Sequence, residues 1–191
     1  MRKHVLTLDI DPCDDLLDIA YLLFHCSEPG YIFADNINRL YDYSFRRIDD
    51  MPDAYPFYIH SNPVSHKQYF LVEKPENAPA SGSWQPTDKL LIIKGEDALY
   101  EAQTIIDDFT DPLPPRSDDL LAIQHAEIRD MMLAEFTVVN LLDFSAPTPS
   151  NTRAARDRAA LEAHCNQILN HIEHNHLDLP DAERQYLRGQ E

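Results

Sequence analysis

Residues 87–109 (TDKLLIIKGEDALYEAQTIIDDF) constrain the fold most, because a strand pattern runs directly into a helix pattern there. The uninterrupted apolar run at residues 90–93 is typical of a strand that is buried on both faces. Gly95 interrupts this strand, and acidic residues follow where a helix begins. An amphipathic helix is then predicted by positions that recur every third or fourth residue: Leu99, Ala102, Gln103, Ile106 and Phe109. The chain therefore needs a sheet with helices packed on it.

Three further segments extend this pattern towards the N-terminus. Residues 4–10 (HVLTLDI) alternate two sets of side chains, which predicts a strand with one buried face. Residues 31–43 predict a helix. Residues 54–74 hold two runs rich in aromatic and β-branched side chains around turn residues at 61–65, which predicts an antiparallel hairpin.

Residues 14–26 (DDLLDIAYLLFHC) fit two different structures. Their apolar side chains follow a helical spacing, with Asp14 or Asp15 as the N-cap. The run at residues 19–24 would serve equally well as a buried strand. On pattern alone, we favour the helix.

The C-terminal half predicts helices that are separated by proline-rich linkers at residues 111–115 and 146–150. Ser117 starts a helical pattern that reaches Val139, although the β-branched residues 137–139 weaken it near its end. A last helix is predicted over residues 152–176. Its apolar stripe consists of Leu161, Cys165, Ile168, Leu169 and Ile172.

These elements predict an α/β (α+β) fold, with a mixed sheet of about four strands, helices packed on it and a helical C-terminal extension. We divide the chain into a mixed α/β core at 1–112, a helix packed on that core at 113–145, and the extension at 146–191.

The charge balance favours some partners and excludes others. The chain has 16 basic and 33 acidic residues, for a net charge of −17, which disfavours direct binding to nucleic acid or to an anionic membrane. Its 3 cysteines form no disulfide framework or thiolate metal motif by their spacing, and no signal peptide or membrane-spanning run is found. We expect a cytoplasmic protein.

Several segments resemble, in order and spacing, a small uncharacterised bacterial family known by its IPExxxVDY signature. They are KHVLTLDI, SEPGYIFADNINRLYDYSFRRIDDM, QYFLVEKPEN and TDKLLIIKG, and the resemblance covers roughly residues 1–110. Thr87, Asp88 and Lys89 stand in the place of the family's VDY element. The resemblance implies an α/β fold, no known activity, and a strand rather than a helix at residues 19–24.

An acidic cluster at the end of the first predicted strand offers one enzymatic alternative. Asp9 and Asp11 form a D-x-D pair, similar to the first motif of haloacid-dehalogenase-type phosphohydrolases. In such a site one carboxylate attacks phosphorus, the other handles a proton, and both hold Mg²⁺. The competing interpretation is that these aspartates cap a helix and shape a turn.

Two other groups of side chains are candidate binding sites. His171 and His174 are candidates for metal ligands, and the competing interpretation is that they are solvated histidines in a last helical turn. A candidate aromatic patch for protein binding consists of Tyr55, Phe57, Tyr69 and Trp84, although core packing is the favoured interpretation.

The sequence therefore favours a non-catalytic intracellular binding or adaptor protein whose partner is another protein or a second copy of the chain. No cofactor is expected. The alternatives are a Mg²⁺-dependent phosphohydrolase that uses Asp9 and Asp11, and an acidic mimic of nucleic acid that binds a basic partner protein.

Overall fold

The computed structural model describes ten helices and strands and the residues around them: 18–48, 57–62, 64–65, 67–74, 88–111, 114–115, 118–135, 137–142, 144, 153–175 and 177. In chain order, the elements are β1 (Ile19–His25), α1 (Gly30–Tyr41), β2 (Arg46–Ile48), β3 (Phe57–Asn62), β4 (Lys67–Glu73), β5 (Asp88–Lys94), α2 (Ala98–Thr110), α3 (Leu120–Ala134), β6 (Val138–Leu141) and α4 (Arg153–His174). The strand predicted at residues 4–10 lies outside the described residues.

The six strands form one sheet in the order β2-β3-β4-β5-β1-β6, and all the pairings among them are antiparallel. The predicted fold class, a sheet with packed helices, is confirmed. The described sheet has six strands instead of about four. Residues 19–25 and 138–141 were expected to be helical but form β1 and β6, β2 was not predicted, and the strand predicted at 4–10 is not among the six. The predicted hairpin is confirmed as β3 and β4, and residues 88–94 and 98–110 form the predicted strand and helix.

The helix that we favoured at residues 14–26 is wrong for residues 19–25, which form β1. This strand pairs with β5 on one side and with β6 on the other, so both of its edges are satisfied. Ala20, Leu22 and Phe24 are buried on one face of the sheet, while Tyr21 packs towards the other. An apolar run of this kind gives no periodicity that separates a buried strand from a buried helix.

The single helix that we predicted from residue 117 to residue 139 is also wrong at its end, because α3 stops at Ala134 and β6 follows. The hydroxyl of Thr137 donates to the Met132 carbonyl (2.7 Å) and helps to close the helix. The β-branched residues after it suit a strand better than a helix. At the other end, the Asp119 side chain accepts from the Ala122 amide (3.1 Å) and caps α3.

Alternating side chains of the sheet enter two separate hydrophobic cores. Helices α1, α2 and α3 cover one side, here called the three-helix face, with Phe24, Phe33, Leu91, Ile105 and Met132 in its core. Helix α4 covers the other side, here called the single-helix face, and its core includes the whole predicted stripe: Leu161, Cys165, Ile168, Leu169 and Ile172. The stripe is therefore buried against the sheet of the same chain.

Candidate functional site

The residues that the sequence singled out are not gathered at one place in the described structure. Asp9, Asp11, Tyr55 and Trp84 lie outside the described residues, and the phosphohydrolase hypothesis therefore stays a prediction. Phe57 and Tyr69 are buried, with 0% and 2% of their surface exposed, and they enter opposite cores. Since neighbouring strands place them on opposite faces of the sheet, they contribute to packing instead of to one exposed aromatic patch.

The two histidines near the end of α4 lie on its outer side. The His171 ring is half-buried and lies 3.2 Å from the Asn175 side-chain nitrogen, and His174 is exposed. Within the residues that the structure describes, no three side chains of His, Cys, Asp or Glu are grouped as a metal site would require. His171 and His174 together would supply two ligands of the usual four.

A cavity of about 290 Å³ lies between α1, α2 and α3, beside the linker that joins α2 to α3. It is lined by Leu40, Tyr41, Asp108, Pro114, Pro115, Asp119, Ala122, His125, Ala126 and Arg129. Its volume is close to the lower end of the range for ligand pockets, about 300–1,000 Å³. The cavity is half open to solvent.

Arg129 is the main charged group of this cavity. Its side chain is only 14% exposed, and its Nη2 lies 3.6 Å from the exposed Asp130 carboxylate, a long ion pair. Its buried Nε has no hydrogen-bond partner among the described residues. A buried donor without an acceptor costs free energy, and because this nitrogen has almost no accessible surface it faces the protein interior and not the open cavity.

Tyr41 lies near both the negative Asp108 and the positive Arg129 in the cavity. Burial raises the pKa of the Tyr41 hydroxyl, and its hydrogen bond to the nearby Asp108 carboxylate raises it further, whereas the charge of Arg129 lowers it. Tyr41 is therefore a neutral donor to Asp108 at pH 7.

A second polar cluster is centred on Glu101 of α2 and includes side chains of β4 and of the loop between α1 and β2. The Glu101 carboxylate accepts from Lys67 Nζ (2.8 Å) and from the Tyr69 hydroxyl (2.8 Å), and the Tyr43 hydroxyl also donates to it. Burial by itself would raise the pKa of Glu101, but these three donors outweigh burial and lower it. A carboxylate with three donors is satisfied, so this cluster fixes the position of α2 instead of presenting a reactive group.

His60 belongs to the same cluster. Its ring stacks on the rings of Tyr43 and Tyr69, with centroid separations of 5.1 and 5.0 Å. Burial lowers the pKa of His60, which favours the neutral imidazole. Its Nδ1 lies 3.0 Å from the Ser44 hydroxyl, but the Ser44 backbone N–H also donates to it (3.3 Å). Because the lone pair of Nδ1 is shared with this N–H, the contact orients the loop and does not resemble an activated nucleophile.

The edge of the sheet at β6 is the third feature of interest. β6 pairs with β1 on its inner side, and no described strand pairs with its outer side. Its sequence, VVNL, contains no charge, and Val138 is 54% exposed. Unpaired strand edges of this kind accept additional strands.

Comparisons of the chain with protein-family models, with curated proteins and with solved structures find no match. None of the helices in the described residues is long and apolar enough to cross a membrane. The function has to be inferred from the geometry described above.

Sequence reasoning missed both the cavity and the β6 edge. The one local signal for the cavity is Arg129, which lies one turn from His125 and beside Ile128 on the inward side of α3. A charged residue at an inward helical position is unusual and indicates a buried polar contact.

Proposed function

We propose that this chain is a cytoplasmic, non-catalytic binding protein that pairs an extended, basic segment of a partner protein with the outer edge of β6. The observation that carries this proposal is the uncharged, partly apolar edge strand, whose outer side pairs with no described strand. Addition of a strand to a sheet edge supplies main-chain hydrogen bonds along its whole length.

The register of β6 indicates which main-chain groups are available. The Leu142 amide donates to the Tyr21 carbonyl (2.9 Å), so this pair is a hydrogen-bonded one. Hydrogen-bonded pairs alternate along an antiparallel ladder, and Asn140 and Val138 therefore also point their main-chain groups towards β1. The N–H and C=O groups of Val139 and Leu141 point outwards.

The opposite edge of the sheet supports the choice of β6. β2 has three residues, RRI, and both Arg46 and Arg47 are exposed. Charged side chains are a usual protection of an edge against unwanted pairing. β6 has no charged side chain of its own, so we assign the binding role to it.

The charge of the chain supports a basic partner. With 33 acidic against 16 basic residues, the protein attracts a positively charged segment and repels an acidic one. The same charge opposes the alternative of a second copy on this edge. We therefore expect a segment in which basic and apolar side chains alternate, because alternate side chains of an added strand face opposite sides.

The test is a binding measurement with three labelled peptides of about eight residues, the length of an ordinary strand. One alternates Lys and Val, one alternates Glu and Val, and one is the basic peptide with two central prolines. We expect only the first to raise fluorescence anisotropy. Hydrogen exchange should then slow at the Val139 and Leu141 amides, while the amides of Val138 and Asn140, which already face β1, change little.

A matched pair of variants separates pairing on β6 from general attraction by charge. Val138→Lys with Asn140→Lys adds two positive charges on the edge, whereas Asn166→Lys with Asn170→Lys adds the same charge on the exposed side of α4. The edge variant should weaken binding on the order of tenfold or more, because like charges meet at the interface. Equal weakening by both variants would contradict the proposal and favour the acidic mimic, which needs no β6.

A further inference from the structure

The loop between α1 and β2 packs on one buried histidine of the sheet. The His60 side chain, on β3, is only 9% exposed, and its ring stacks on the ring of Tyr43 from the loop and on the ring of Tyr69 from β4. The Phe45 ring lies edge-on to it, with 6.0 Å between the centroids, and the Ser44 backbone N–H donates to its Nδ1 (3.3 Å). Three consecutive residues of the loop therefore contact the same imidazole.

The hydrogen bond from Ser44 decides which nitrogen of the ring takes up a second proton. Because Nδ1 accepts from the Ser44 N–H, the neutral ring carries its proton on Nε2, and protonation adds a hydrogen to Nδ1. The new hydrogen then meets a group that is itself a donor. The Ser44 hydroxyl oxygen, 3.0 Å from Nδ1, can accept it, but the backbone N–H loses its acceptor. A buried donor that loses its acceptor costs free energy, so protonation of His60 weakens the attachment of the loop.

Charged groups from four parts of the chain lie around His60. Burial lowers the pKa of His60, and it outweighs the carboxylates of Glu101 on α2 and Asp42 in the loop, which raise it. Lys67 on β4 offsets part of the Glu101 charge through their ion pair (2.8 Å), and Arg47 on β2 adds a positive charge on the same face of the sheet. Burial raises the pKa values of the two tyrosines that contact the ring, so both are neutral. The ring is therefore held in its neutral form at pH 7.

We propose that His60 is a pH-sensitive switch: protonation of its Nδ1 releases the loop at residues 42–45, and with it the edge strand β2, while the other strands stay paired. β2 follows the loop directly and has three residues, so few hydrogen bonds hold it once the loop is free. The switch lies at the opposite edge of the sheet from β6 and is independent of the binding proposed there.

The direction of the switch follows from the two states of the ring. In the released loop His60 has its ordinary pKa of 6.5, whereas in the attached loop burial lowers it. Attachment is therefore fully favoured above pH 6.5 and is lost progressively as the pH falls towards the lowered pKa. Between these two values, the ratio of released to attached loop should rise by up to about tenfold for each unit of pH.

Nuclear magnetic resonance titration of the isotope-labelled chain from about pH 8 to about pH 5 tests the switch directly. We expect the His60 ring to titrate with a midpoint below 6.5, and the amide resonances of Ser44 and Phe45 to move with the same midpoint. The amides of Leu22 and Ile92, in the middle of the sheet, should not move with it. A His60 midpoint at or above 6.5, or loop amides that do not follow the ring, would overturn the proposal. A common midpoint for all four amides would also overturn it, because the whole fold would then open.

A matched pair of variants assigns the effect to His60. His60→Phe keeps an aromatic ring and removes the titrating nitrogen, whereas His174→Phe makes the same change at an exposed position of α4. The Phe45 amide, which donates to the Asn38 side chain (2.7 Å), should exchange its hydrogen when the loop is released. Its exchange rate in the wild type, divided by the rate in His60→Phe at the same pH, should rise by up to about tenfold per unit of pH on acidification. A constant ratio, or an equal rise against His174→Phe, would refute the assignment.

Ser44→Ala keeps the proposal testable if circular dichroism shows that His60→Phe does not fold. This variant retains the backbone N–H and removes the hydroxyl oxygen that can accept from the protonated ring. The midpoint of the His60 titration should therefore fall further below that of the wild type. An unchanged or raised midpoint would contradict the arrangement of donors on which the switch depends.

Discussion

The two faces of the sheet are covered in different ways. Three helices of 12, 13 and 15 residues lie on one face, and the single 22-residue helix α4 lies on the other. On the three-helix face, polar groups fix the helices: the Glu73 carboxylate accepts from the Gly30 amide at the start of α1 (3.0 Å), and Glu101 holds α2 to β4. On the single-helix face, α4 is joined to the sheet by apolar side chains and by the Lys94–Glu173 ion pair (3.1 Å).

The difference follows from the geometry of coverage. One long amphipathic helix can cover a sheet face with a single stripe, and apolar contacts are enough to hold it. Three short helices can slide and rotate relative to one another, and directional hydrogen bonds remove that freedom. We infer that α4 depends on its stripe, whereas the three-helix face depends on its polar contacts as well.

The largest effect should come from the stripe of α4. Ile172→Ala should lower the free energy of unfolding by about 2–5 kcal/mol, because a buried side chain is lost and a cavity remains. Glu173→Ala removes the exposed ion pair beside it and should cost less than about 1 kcal/mol. Urea denaturation followed by circular dichroism measures both. If Glu173→Ala lowered the free energy of unfolding more than Ile172→Ala, the inference that α4 depends on its apolar stripe would be contradicted.

On the three-helix face, Glu101→Gln should lower the free energy of unfolding by about 2 kcal/mol, the usual cost of losing hydrogen bonds to a charged group. Glu127→Gln, on the exposed side of α3, is the matched control and should stay within about 0.5 kcal/mol of the wild type. Urea denaturation of both variants provides the measurement. If they behave alike, the polar contacts do not hold this face.

The reaction rates of the two buried thiols allow the opening of the two faces to be compared within one molecule. Cys26 lies in the three-helix core and Cys165 in the single-helix core. Both thiols are buried, with 1% and 0% of their surface exposed, so both should react only when the structure opens. Burial also raises the pKa of the Cys165 thiol to about 12. If α4 opens on its own, iodoacetamide should modify Cys165 at least about tenfold faster than Cys26, which corresponds to about 1.4 kcal/mol. Peptide mass spectrometry measures both rates, and equal rates would indicate that the faces open together.

The smallest effect is the pH dependence of the Glu101 contribution. The pKa of Glu101 is lowered from its ordinary value of 4.5, so its ionised form stabilises the fold at neutral pH and the stabilisation is lost as the pH falls through the folded pKa. The difference in unfolding free energy between the wild type and Glu101→Gln should be constant above about pH 5 and shrink at lower pH. Urea titrations at several pH values test this. If the difference in unfolding free energy between the wild type and Glu101→Gln grew on acidification, the lowered pKa of Glu101 would be contradicted.

The parts of the fold that the sequence predicted correctly are those in which one segment carries its own periodicity. The β5–α2 unit, the β3–β4 hairpin and the stripe of α4 belong to this group. β1 was harder to predict, because an apolar run that is buried on both faces has the same composition in a strand and in a helix. β6 has only four residues, and the helical pattern of α3 ran into it.

The candidate sites could not be predicted for a different reason. The cavity is formed by residues of three helices and a linker, and Asp108 and Arg129 line it together through packing that no single segment encodes. Likewise, Phe57 and Tyr69 are close in sequence, but only the register of β3 with β4 shows that they enter opposite cores.

The strand order also has a consequence for the time at which the protein folds during synthesis. β1 leaves the ribosome before every other described strand, yet its two neighbours are residues 88–94 and 138–141. β1 therefore stays without its partner strands until these residues are synthesised, while the β3–β4 hairpin can already form from adjacent residues. A nascent chain stopped before β6 carries β1 with one side unpaired. Slowed translation in this interval should favour aggregation, and chaperones that bind exposed apolar strands should act on this chain at that stage.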